Sequence, residues 1–157
     1  MTLWVVKGGP TGERDDRFLS HSIIGIGWAE VGDLSAYPDR ETLKAGYRLA
    51  HLDRSDGHVN TQVGQLWRFG HRMRVGDAVV VPLRWIREIA VGEIVGDYRW
   101  TDSYGPDMPH VRDVRWIVPG APRDAFDSDL LFSFGGSMSV CSVTRNDAER
   151  RVRAMVT

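Results

Sequence analysis

The chain has 157 residues, room for one domain with a sizeable core and too little for two ordinary ones. Its hydrophobic (42%) and charged (26%) fractions are those of a globular protein, and a net charge of −1 argues against a generic electrostatic coat for nucleic acid. No apolar run approaches the ~20 residues of a membrane-spanning helix, no signal peptide is visible, and the single Cys141 leaves no internal disulfide or multi-cysteine zinc site. The expectation is one cytoplasmic domain over 1–157, without membrane contact.

Leu3 to Lys7 reads as a strand stopped by Gly8-Gly9-Pro10, and the charged Gly12 to Ser20 as a loop or short helix. Ser22 to Trp28 is a strand with Ile24, Ile26 and Trp28 on one face, which puts Trp28 at its end, where a core gives way to a mouth. Asp39 to Leu52 has helical spacing, Asp53 to Asn60 is loop-like, and Thr61 to Met73 carries the stripe Val63, Leu66, Trp67, Gly70. The opposite side of that helix, Gln65, Arg68 and Arg72, reads as solvated. Ala78 to Leu83 is a buried strand. Ile89 to Tyr98 is another, with a nearly bare face (Ala90, Gly92, Ile94, Gly96) that another backbone can approach closely.

Trp100 to Pro109 is a loop, Val111 to Val118 a strand, Arg123 to Phe134 one or two short helices, and Ser137 to Thr144 a last strand. Asn146 and Glu149 resemble a helix-start pair for a final helix. Strands joined mostly by turns and irregular loops predict an α+β fold, a curved mixed sheet or small β-barrel with helices packed outside. Such a barrel builds its binding mouth from strand ends and loops.

No nucleophile elbow, phosphate-binding loop or dinucleotide fingerprint is present, and five scattered histidines give no metal spacing. No cofactor is expected. The only acid–base suggestions are Asp77 with His71 or Lys7. Cys141 in an apolar strand reads as structural. Aromatic residues are more informative. Trp4, Trp67 and Trp116 lie on core faces and Trp85 in a charged turn. Trp28 ends one strand, while Tyr98, Trp100 and Tyr104 follow another. Rings converging on a mouth form a slot whose flat walls sandwich a planar base. One or two of the latter three would face Trp28. Eighteen of the twenty basic residues are arginine, whose fork suits phosphates and base edges, although coding bias is the plainer source.

Leu3-Trp-Val-Val-Lys7, Ile26-Gly-Trp28, Gly76-Asp-Ala-Val-Val-Val-Pro82, Ala90-Val-Gly-Glu-Ile94 and Val111-Arg-Asp-Val-Arg-Trp-Ile117 occur in an order that resembles the PUA-like superfamily of EVE, YTH and SRA-like base readers. With Val63-Gly-Gln-Leu-Trp-Arg-Phe69 and Phe126-Asp-Ser-Asp-Leu-Leu131, the chain looks closest to the N-terminal module of Mrr-type modification-dependent restriction proteins. The resemblance implies a non-enzymatic reader of a modified base in double-stranded DNA, 5-methylcytosine first, flipped into an aromatic cage of Trp28 and one of Tyr98, Trp100 or Tyr104. Asp102, or an acid of the Glu13 to Asp16 loop, would accept the exocyclic amine. Lys7, Arg14, Arg72, Arg84, Arg112 and Arg145 would hold phosphates, and a nuclease domain or protein would act as effector. Lys7-Gly8-Gly9 stands where YTH domains carry polar side chains, which speaks against adenine. The alternatives are a PUA-like RNA-binding module and a small enzyme acting on nucleotides or RNA.

Overall fold

The computed structural model describes residues 1–156. Seven strands form one mixed, curled sheet: β1 (Leu3–Val6), β2 (Ile23–Ile26), β3 (Ala78–Pro82), β4 (Glu88–Ile94), β5 (Arg99–Trp100), β6 (His110–Pro122) and β7 (Val140–Ser142). Their order is β2-β6-β4-β3-β1-β7, with β5 also pairing β6. Only β1 and β3 run parallel; the other pairs are antiparallel.

Both faces of the central strands are covered, which explains why β1 and β3 read as unbroken apolar runs rather than as alternation. Trp4, Val6, Val79 and Val81 join one core with Phe18, Tyr47, Leu66 and Phe69. These come from α1 (Asp15–His21), α2 (Arg40–Ala50), α3 (Asp56–Trp67) and the π-helical turn Arg68–Arg72 that follows. Leu3, Val5, Ala78 and Val80 face the other way, onto Leu130 and Phe134 of α4 (Ser128–Phe134) and Val152 of α5 (Ala148–Met155). This is the expected α+β architecture.

The expected close approach of a backbone is found at Gly92, where a Cβ would lie 2.9 Å from the Arg115 carbonyl oxygen. Helix α2 starts as expected at Asp39, whose carboxylate accepts from the Thr42 amide at 2.8 Å. Three local readings differ. The polar stretch Asp56 to Asn60 is the first turn of α3, because Ser55 caps it and Val59 is buried. Gln65 is not solvated. It is buried, and its Oε1 accepts from the Ser139 and Val140 amides at 2.7 and 3.2 Å, fastening β7. Asn146 and Asp147 both take positive φ, and Glu149 pairs with Arg153, so the expected helix-start pair does not form.

Candidate nucleic-acid interface

At the start of β6, His110 is wholly buried and opposite two strands at once: Ile26 of β2 on one side and Trp100 of β5 on the other. Its Nε2 lies 3.1 Å from the Trp28 carbonyl, which can only accept, so Nε2 carries the proton. The Leu34 amide donates to Tyr98 Oη at 2.9 Å, and that hydroxyl donates onward to His110 Nδ1 at 2.7 Å. Burial pushes the His110 pKa down and the Tyr98 pKa up, which keeps both groups neutral near pH 7.

Two tryptophans adjoin this network, Trp28 through its backbone carbonyl and Trp100 through its ring. Trp28 has φ 57° and ψ 45°, a left-handed conformation costing a bulky residue about 1–3 kcal/mol. Bonds from His110 Nε2 and the Val31 amide to its carbonyl hold it there. Its side chain is half-buried against the core that includes Tyr47, whose hydroxyl is 2.8 Å from His58 Nε2. Trp100 stands tilted over the His110 ring, 5.0 Å between centroids, and is 42% exposed. Strand spacing sets the backbones of β2 and β5 about 10 Å apart across β6. Trp28 and Trp100 therefore belong to one neighbourhood built on His110.

The other predicted residues are placed as follows. Tyr98 supports the site through its bonded hydroxyl. Tyr104 packs against His21 (5.2 Å) and under the Arg99 guanidinium (5.9 Å). Asp102 is exposed in the same loop. That loop is tied down at Asp107, which pairs twice with Arg17 at 2.8 Å and once with Arg14 at 3.5 Å; the Arg17 hydrogen bonds hold its carboxyl at about 2. Arg14 also donates to the Asp107 carbonyl at 3.0 Å and lies against Gly27, next to Trp28. Lys7 and Arg84 line a neighbouring cavity of about 440 Å³, with the Lys7 ammonium on the Gly136 carbonyl. Arg72 and Arg145 line separate cavities.

Arg112 corrects the sequence reading. It is 3% exposed, and its guanidinium donates to the Phe69, Gly70 and Gly96 carbonyls at 2.8, 3.3 and 3.4 Å, closing the fold where a phosphate contact was expected. Asp77 likewise accepts from Thr2 N, Trp4 Nε1 and Arg74 N at 2.9–3.1 Å. His71 bonds the Leu34 carbonyl and stacks on Trp67, so neither it nor Lys7 pairs with Asp77. Sequence reasoning missed His110 as the organiser, because a lone histidine before a strand carries no signal of its partners. Among the described residues, no helix is long and apolar enough to cross a membrane.

Residues 4–143 match the family DUF8426, described as a domain of unknown function. The chain belongs to that family. No curated protein matches it. Among solved structures it is similar to the YTH domain of the Zygosaccharomyces rouxii MRB1 protein in complex with N6-methyladenosine RNA, at 12% identity and a TM-score of 0.52 over 99% of this chain and 87% of that one. Rpa0253 from Rhodopseudomonas palustris (16%, TM-score 0.47) and Atu2648 from Agrobacterium tumefaciens (12%, TM-score 0.43) are also similar, each over 99% of this chain and 93% of the other. The DUF8426 chain thus has a YTH-like fold.

Proposed function

We propose that this DUF8426 domain is a non-enzymatic reader that holds a modified base between Trp28 and Trp100. The observation that carries the reading is His110 itself, which bonds the Trp28 carbonyl and lies against the exposed Trp100 ring. Stacking is worth ~1–3 kcal/mol per base, enough to offset the few kcal/mol of extracting a base from a duplex. A methyl group adds only about 1 kcal/mol of apolar burial, so discrimination also needs a shaped slot or a polar contact. Asp102 supplies an acceptor for an exocyclic amine, and Arg14, beside Gly27, a cation for an adjoining phosphate.

Double-stranded DNA carrying 5-methylcytosine is the first ligand, read for a restriction effector, in line with the resemblance to Mrr-type modules. RNA is the second reading, favoured by the likeness to a YTH domain solved with N6-methyladenosine RNA. The test is a gel shift near 0.15 M salt. Matched duplexes and RNA strands carry cytosine, 5-methylcytosine, adenine or N6-methyladenine. The reading expects one modified ligand to bind at least ~10-fold tighter than its unmodified partner, and Trp28→Ala to abolish that ratio. Equal binding to every ligand, unchanged by the substitution, removes Trp28 from the site.

A further inference from the structure

We infer that the turn between β3 and β4, Arg84-Trp85-Ile86-Arg87, is a second contact for the same nucleic-acid strand, with Trp85 stacking on a base beyond the caged one. The inference rests on the proposed function and extends its footprint. Trp85 is 76% exposed and Ile86 50% exposed, two adjacent large apolar side chains held in water at the tip of a turn. Arginines flank them on both sides. Arg123 joins the group, its amide donating to the Arg87 carbonyl at 3.2 Å. These three arginines share the 440 Å³ cavity with Lys7 and Phe134, and none of the three forms an ion pair among the described residues. Arginines without ion pairs next to an exposed indole match a ligand with both anionic groups and π faces, which is a nucleic-acid strand.

The turn is also held in place relative to the cage. The Arg84 amide donates to the buried Asp15 carboxylate at 2.8 Å. Arg84 packs so closely on Gly12 (φ +74°) that a Cβ there would lie 2.3 Å from the Arg84 Cβ. Arg14, in the same segment, reaches the Asp107 carbonyl and Gly27 beside Trp28. The segment 12–15 therefore touches both the Trp85 turn, through Arg84, and Gly27, the chain neighbour of Trp28.

The test compares the natural chain, Trp85→Ala and Trp85→Phe at fixed salt, against a modified nucleoside and modified and unmodified strands of about 12 nucleotides. Trp85→Ala should weaken both strands about 5- to 100-fold while leaving nucleoside affinity unchanged, and Trp85→Phe should restore most of the loss. If the natural chain shows no preference for the modified strand and Trp85→Ala still weakens both, the cage reading fails and this contact stands. Strand affinity unaffected by Trp85→Ala overturns the contact. So does self-association of the natural chain that Trp85→Ala abolishes without altering strand affinity, since Trp85 would then serve a second copy of the chain.

Discussion

Around Asp77 and around His110 the protein uses one device, a buried polar side chain bonded to separate chain segments, to build two different kinds of surface. Asp77 accepts from Thr2, Trp4 and Arg74, and the indole it holds is buried in the core. His110 bonds Trp28 and Tyr98, and the indoles around it reach solvent at least in part. Satisfied buried polar groups rigidify whatever they touch. The difference lies in what they touch: at Asp77 the result is a closed strand start, at His110 a fixed Trp28 backbone beside the exposed Trp100 ring. Trp28 adds backbone strain that only fixed partners can sustain.

The largest effect should come from Asp77→Ala, which strands three donors at once. A loss of about 3 kcal/mol in denaturant unfolding is expected, with ligand affinity of the folded protein unchanged. Lost affinity without lost stability would erase the distinction between the two regions.

The His110 region should instead be sensitive to pH. An unfolded chain protonates this histidine near 6.5, whereas burial lowers the folded value, with the bond to the Trp28 carbonyl, then Asp33 and Glu30, acting in the opposite sense. The folded state therefore binds the proton less readily, so the stability contribution is full above ~6.5 and falls as pH drops toward the lowered value, at up to about 1.4 kcal/mol per pH unit. Protonated Nδ1 no longer accepts from Tyr98, so nucleic-acid affinity should fall over the same range. A flat stability profile between about pH 7.5 and 5 would contradict the assigned network.

Arg17→Ala should have the smallest effect. Its pairs with the half-exposed Asp107 are screened, so stability should drop by less than ~1 kcal/mol. The Asp107 contribution is present above 3.8 and lost as pH falls through about 2, and the variant should remove that acid-side dependence.

Much of this was legible in the sequence, for identifiable reasons. The apolar runs of β1 and β3, the Ile24–Ile26 face leading to Trp28, and the bare face at Gly92 are local patterns with one physical reading each. Those patterns suffice for the α+β fold. The run Gln65, Arg68, Arg72 was not legible, because a glutamine bonded to the distant Ser139 amide looks identical to a solvated one. Arg112 failed for the same reason: its partners lie 16 to 43 residues away, on Gly96, Gly70 and Phe69. Tyr98, Trp100 and Tyr104 were found as a group, but only three-dimensional pairing separates the supporting Tyr98 from the exposed Trp100.

The most direct test is a crystal structure of the domain with a strand carrying the modified base it prefers. The account predicts that base stacked between the Trp28 and Trp100 indoles, with the His110 bonds to Trp28 and Tyr98 intact. A base bound elsewhere, with Trp28 and Trp100 left in solvent, would contradict it.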